Sequence, residues 1–479
     1  MKKSILIDLL SKLSQKEIKE FGEYVSSPYF NKNQSIIKLY DYLKTQYPEF
    51  EKNKVEKKFV YSKLFPKIKY NDGFMRTLIF SLCSLAEDYL SYIRYKSSYY
   101  KDKINLLFEL NDRHIDSLFE RNVHAISKKL DQEVIRDIDY YDYKYNIENE
   151  KYLYYYRTKP DAYEKTFKVV NMTAMMNYQT ISYLTSAIND YTRLLNFKNM
   201  YNVDFELGQI EKFFDAIDPK HFYNIPCVII SYYGMMLFLK ENDISVFYKL
   251  KDLLEKYENS LDRNHVYNIC QNLINYCNRN MIKGHPELLR ERFEIYKLGI
   301  DKKIFPIQDK TNFRFFTNVV ETALRLKEFE WAKEFMKDHK SFLPPEIRDN
   351  TYNYSLAMYE FTAGNYENAL KLLSKIRYND VYHKLKCKSL ITMLYYELDY
   401  PDLLLSHIDT FNHFIINDHL LNNERKKYYS SFIKYVKRID KIRSGNNLSD
   451  AEDQKKKINE DKAVYYKDWL LEKLDELVK

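Results

Sequence analysis

Glycine is scarce in this chain, and the shortage excludes more than any motif affirms. Eight glycines in 479 residues (Gly22, Gly73, Gly208, Gly234, Gly284, Gly299, Gly364 and Gly445) stand no closer than 15 positions apart. Phosphate loops and dinucleotide fingerprints need two or three glycines within one turn, because backbone N–H groups must approach phosphate oxygens closely. No such loop exists here. Parallel α/β and β-rich folds also draw on glycine for their turns, so the shortage points to helices. Proline, at 11, and tryptophan, at 2, are sparse as well. The five cysteines (Cys83, Cys227, Cys270, Cys277, Cys387) are odd in number and contain no C-x-x-C. They fit buried apolar thiols in a reducing compartment.

Long hydrophobic runs are missing too. The longest apolar stretch, Ile225 to Leu239, carries Pro226, Ser231, Tyr232 and Tyr233 and falls short of the ~20 residues that span a bilayer. It reads as a buried helix. The opening Met1-Lys2-Lys3-Ser4-Ile5-Leu6-Ile7 mimics a signal peptide, but Asp8 and Lys12 break its apolar run and no small-residue cleavage site follows. The expectation is a cytoplasmic protein with no membrane partner.

Tyrosine (47), phenylalanine (29) and Lys+Arg (76 against 68 Asp+Glu, net +8) are plentiful. These residue types, with Asn and Ile, have A/T-rich codons, so part of the skew reflects coding bias rather than function. Hydrophobic residues at 45% suffice for a core. The mild positive excess permits acidic partners without demanding them.

Periodicity of about 3.6 in the apolar residues runs through nearly every segment and predicts an all-α protein. Residues 1–95 form an N-terminal helical unit. Ser14 and Glu17 have capping-box spacing, Asn31 or Asn33 can cap a second helix, and Asn71-Asp72-Gly73 turns into a third. Residues 96–220 are an irregular helical region whose tyrosines at 140–156 alternate with Asp and Glu, a pattern that favours packing between layers over base stacking. Helical repeats occupy 221–443. The polar linker Ser444-Gly445-Asn446-Asn447 then leads to a C-terminal helix with a capping-box pair, Ser449 and Glu452, and an apolar stripe through Trp469, Leu470, Leu474, Leu477 and Val478 that can close the last repeat.

The clearest repeat lies at 356–373, L-A-M-Y-E-F-T-A-G-N-Y-E-N-A-L-K-L-L. Small Ala369 allows close helix approach, Tyr366 spans the hairpin, and Gly364 can take positive φ at the helix end. Phe329 and Ala332 recur 37 residues upstream with Pro344-Pro345 behind them. Tyr400 recurs 34 residues downstream, with Leu398 in place of the glycine and Leu403 in place of the alanine. This segment, 313–411, resembles tetratricopeptide-repeat (TPR) proteins, with weaker echoes at Gly234 and Gly284. The resemblance implies a TPR-like α-α solenoid whose hairpins stack because none can bury its own faces alone. It also implies a concave groove lined by Arg314, Thr317, Glu321, Arg325, Tyr354, Met358, Thr362, Lys388, Thr392 and Tyr396. The Lys/Asn/Arg set with which that family grips a terminal carboxylate is absent. The groove suits an extended peptide or a partner helix.

No residue presents itself for catalysis. H-E-x-x-H, G-x-S-x-G and paired E-x-x-H motifs are missing, and the i, i+4 pair His383 and Cys387 falls on an apolar helix face. No metal and no cofactor is expected. Eight Lys/Arg between Arg425 and Arg443 face Asp440 alone. Among them Lys434, Lys437, Arg438 and Lys441 lie opposite the stripe Phe432, Val436, Ile439 and Ile442, forming either a solvated face or a phosphate-contacting one. The expected function is a non-enzymatic scaffold or adaptor for another protein. The alternative is an RNA-binding helical-repeat protein of the pentatricopeptide kind, with nucleic acid contacting 425–443, and the third is a helical enzyme with a dispersed site.

Overall fold

The computed structural model describes residues 4–158, 171–201, 205, 212, 214, 217–305, 313–377, 381–419, 421, 423–445, 448–461 and 463–478. Among them are 22 α-helices and no strand. Two compact units result. The first comprises residues 1–132 and 143–175, the second 133–142 and 176–479.

The first unit contains α1 (Ile5–Lys12), α2 (Gln15–Ser26), α3 (Gln34–Lys44), α4 (Lys57–Leu64), α5 (Asp72–Lys96), α6 (Tyr99–Asp112), α7 (Asp116–Asp131) and most of α8 (Ile138–Thr158). Its caps follow the sequence. Ser14 and Glu17 close a complete capping box on α2, Asn33 caps α3, and Asn71 caps α5. Asn31 does not cap. It is buried, and its amide bridges the Val25 carbonyl and the Asn33 N–H (both 2.9 Å). Leu10, Phe21, Leu39, Leu82 and Tyr89 form the core of the first five helices. The Tyr-rich α8 packs as expected over part of its length. Tyr143 and Tyr154 are buried, with Tyr154 stacked on Phe119 at 4.6 Å, whereas Tyr156 is exposed.

In the second unit, successive helices pack on one another. They are α9 (Met172–Tyr201), α10 (Pro226–Leu239), α11 (Ile244–Tyr257), α12 (Arg263–Ile282), α13 (Leu288–Asp301), α14 (Phe313–Arg325), α15 (Phe329–His339), α16 (Pro345–Thr362), α17 (Tyr366–Leu373), α18 (Val381–Glu397), α19 (Pro401–Asn417) and α20 (Asn423–Gly445), followed by α21 (Leu448–Glu460) and α22 (Lys467–Val478). Each helix also tends to meet the next but one: α10 packs on α12, α14 on α16, and α16 on α18. The apolar stretch Ile225–Leu239 is the buried helix α10, with Cys227, Ile229, Ile230, Met235 and Leu237 at zero exposure. No helix among the described residues is long and apolar enough to cross a membrane.

One turn closes α14, α16 and α18. Gly364 takes φ +80°; its N–H donates to the Phe361 carbonyl and the Asn365 N–H to the Glu360 carbonyl, a Schellman cap. Lys327 (φ +62°) and Asp399 (φ +55°) make the same pair of hydrogen bonds. This corrects the third copy. The left-handed position belongs to Asp399 rather than Leu398: the three turns are equally long, but Tyr400 stands at the N-cap, one residue before the position that Phe329 and Tyr366 occupy. Five positions beyond each left-handed residue stand Ala332, Ala369 and Leu404, all at zero exposure, while Leu403 is 52% exposed.

The C-terminal segment differs from expectation as well. α20 runs to Gly445, and α21 begins at Leu448, placing Ser449 inside its first turn rather than ahead of it. The expected single helix breaks at 461–466 and resumes as α22, which packs on both α20 and α21. Asn446 and Asn447 lie outside the described residues.

Candidate functional site

The ten expected groove residues do not share one open surface. Thr317, Tyr354, Met358, Thr392 and Tyr396 are buried. Thr317, Thr362 and Thr392 turn their hydroxyls back on the carbonyls four residues earlier (2.8–2.9 Å), which commits each one's single hydrogen-bond donor within its helix, that of the exposed Thr362 included. Glu321 pairs with Lys386 at 3.1 Å. Lys388 is partly buried over the Phe411 ring, and burial, with Lys384 nearby, lowers its pKa. Arg314 is exposed and lines a cavity.

The chain's own C-terminus covers much of the rest. Asp468 pairs with Arg325 at 2.7 Å, and the Trp469 ring meets Tyr396 edge-on at 5.4 Å. The Trp469 indole N–H donates to Glu397 Oε1 (2.7 Å), which Lys473 also reaches at 3.0 Å. Burial pulls the Lys473 pKa down, but its bonds to Glu476 and Glu397 outweigh that and raise it. Tyr466 packs on Phe432 at 5.1 Å. At Arg325 and Tyr396 the surface expected to receive a foreign helix thus holds α22. Sequence reasoning placed α22 at the array's end because its stripe has no partner in sequence, and register alone does not say onto which face it folds.

Outside that surface, tertiary packing assembles a hydrogen-bond chain that no spacing foretold. His265 Nδ1 lies 2.8 Å from Asp137 Oδ2, and His265 Nε2 lies 3.0 Å from Ser231 Oγ. The order of groups is that of a Ser-His-Asp triad, which is recognised by geometry rather than chain position. All three side chains are buried, Ser231 to 1% exposure. Ser231 sits in the middle of α10, where neighbouring N–H groups are engaged in the helix and supply no oxyanion donors. Its hydroxyl also lies 2.8 Å from Asn189 Oδ1. Asp137 further accepts from the N–H groups of Ile138 and Asp262. The chain ties segment 133–142 to α10 and α12. The cysteines offer no nucleophile either: burial pushes the thiols of Cys227, Cys270 and Cys277 up to about 12.

A cavity of about 460 Å³ with unused chemistry lies between α9, α12 and α14. Its lining includes seven asparagines (Asn189, Asn196, Asn268, Asn272, Asn275, Asn278, Asn318) and Gln271, with Arg193 and Arg314, and among the described residues no carboxylate. On α12, positions 268, 271/272, 275 and 278 recur at three- and four-residue steps, so the amides form one stripe. Asn268, Gln271, Asn272 and Asn275 make no side-chain hydrogen bond among the described residues. Tyr267, Tyr296, Phe305 and Phe315 complete the wall. Phe305 lies so close over Gly299 that a Cβ there would collide with its ring. The amide spacing was visible in the sequence, but in a chain rich in A/T-coded residues nothing distinguished it.

Lys434, Lys437, Arg438 and Lys441 are all exposed on α20, opposite the buried Phe432, Val436, Ile439 and Ile442. Lys437 approaches Asp409 at 3.9 Å and Arg438 donates to Gln454 at 3.2 Å. Comparison with protein-family models, curated proteins and solved structures finds no match for the chain.

Proposed function

We propose that this protein is a non-enzymatic, TPR-like helical-repeat scaffold that holds an extended segment of a partner protein in the amide-lined cavity. The observation that carries this is the unbonded stripe Asn268, Gln271, Asn272 and Asn275. Each carboxamide presents an acceptor and two donors, the complement of a peptide group. An extended segment supplies such groups along its length, and pairing with them recovers hydrogen bonds otherwise made to water. The repeated turn at Lys327, Gly364 and Asp399 supports the TPR-like part of the proposal.

Single-stranded RNA fits less well. Base stacking needs open ring faces, and here Tyr267 meets Phe305, and Tyr296 meets Phe315, edge-on at 5.9 and 5.8 Å. The test is a photo-crosslinking amino acid in place of Asn272, activated in the native host. Adducts that protease destroys and ribonuclease spares support a protein partner. Adducts that ribonuclease destroys overturn it.

A further inference from the structure

We infer that the segment held in this cavity is acidic, an extension that rests on the peptide-binding proposal above. It follows from how two wall asparagines are fixed. Arg292 Nη1 donates to Asn278 Oδ1, and Lys386 Nζ donates to Asn318 Oδ1 at 2.8 Å. Guanidinium and ammonium groups carry donors and no acceptor, so the amide atom facing each of them is the oxygen. The Nδ2 group of Asn278 is what remains for a ligand, because the Asn318 amide also hydrogen-bonds Tyr296. Asn278, a wall position that could have been donor or acceptor, is thereby fixed as a donor.

The surrounding charge has the same sign. Among the described residues, Arg193 and Arg314 line the cavity and no Asp, Glu or Lys does. Arg292 is 6% exposed behind the wall, and its Nε and Nη2 have no hydrogen-bond partner. Arg193 is balanced by Asp190 at 2.7 Å and Lys386 by Glu321 at 3.1 Å, so the positive excess behind the wall, among the described residues, is that of Arg292. Low-dielectric walls focus such a field into a concavity. Donors in excess and positive charge call for acceptors and negative charge, which Asp and Glu side chains supply.

Length narrows the occupant further. Ten residues of helix from Asn268 to Asn278 rise about 15 Å, and an extended chain covers that in roughly four to five residues. The structure therefore assigns to this cavity a short extended stretch containing at least one Asp or Glu.

The experiment is selection of a random-peptide display library on the immobilised full-length protein, subtracting peptides retained by Asn272→Ala/Asn275→Ala. Circular dichroism melts confirm that each variant is folded. Acidic peptides should be enriched. A fluorescent copy of one should lose about tenfold or more in affinity when its Asp and Glu become Asn and Gln, and should weaken as salt rises. The near-isosteric Asn275→Asp places a carboxylate in the cavity. It should weaken the acidic peptide by a similar factor while sparing its neutral analogue. Enrichment of neutral or basic peptides that depend on Asn272 and Asn275 would overturn the acidic assignment and leave the scaffold proposal standing. No enrichment on the parent beyond the double variant would overturn both.

Discussion

His265 holds Asp137 through a 2.8 Å hydrogen bond although the two stand 128 residues apart, and neither side chain exceeds 6% exposure. Burial favours a neutral Asp137. The His265 bond and charge, with the N–H groups of Asp262 and Ile138, outweigh it and lower the carboxyl's pKa. A carboxylate depressed in the folded state contributes stability above its unfolded pKa, near 4, and loses it as pH falls through the folded value. Asp137→Asn should cost about 1–3 kcal/mol at neutral pH. It should also flatten the acid limb of stability below about pH 4, as read from urea midpoints across pH.

Ser231 should be chemically silent. Its hydroxyl is 1% exposed and sits in a helix interior, so a fluorophosphonate probe should leave it unlabelled on intact-protein mass spectrometry. Stoichiometric labelling abolished by Ser231→Ala would establish a serine hydrolase and remove the scaffold proposal.

His407 should make the protein acid-sensitive in a second window. Burial pushes its pKa down to about 4, opposed by the bond from Nε2 to the Lys388 carbonyl (3.0 Å). The unfolded chain binds the proton first, so this stabilisation is complete above about pH 6.5 and falls as pH drops towards 4, by at most ~3 kcal/mol. His407→Gln should remove that part of the pH dependence from denaturation curves at pH 7 and pH 5.

Lys327 occupies a left-handed conformation (φ +62°) on an exposed turn. A side chain there costs roughly 1–2 kcal/mol, partly offset by the extra freedom of glycine in the unfolded chain. Lys327→Gly should raise stability by about 0.5–1 kcal/mol. The neighbouring Ala369, at zero exposure, should respond the other way: Ala369→Phe overfills its contact and should cost about 1–3 kcal/mol. Thermal melts of both check the hairpin assignment.

Trp469→Ala should loosen α22. It deletes the bond to Glu397 and the contact with Tyr396, leaving the Lys473–Glu397 pair and the buried Leu470 and Leu474 to hold the helix. The expected loss is about 2–4 kcal/mol, with earlier proteolytic cleavage between Asp461 and Lys467. An unchanged cleavage pattern would show that α22 is anchored elsewhere.

Local features were readable from the chain in order. The Ser14–Glu17 box, the Asn33 and Asn71 caps, the positive φ at Gly364 and the buried Ala332 and Ala369 each depend on residues within a few positions of one another. The third hairpin slipped by one residue because tyrosine spacing was the guide, while the backbone register follows the left-handed residue, here Asp399.

The helical class and the exclusion of glycine-built nucleotide loops belong to the sequence alone, because periodicity and the absence of glycine pairs are properties of the chain in order. Which surfaces stay open was decided in three dimensions. Trp469 lies 72 residues from Glu397, and Asn189 closes on α10 and α12 from another helix. Packing free energy selects among many partners for each apolar stripe. The one chosen, α22 against Tyr396, covered that end of the expected groove and left the amides of α12 lining an open cavity.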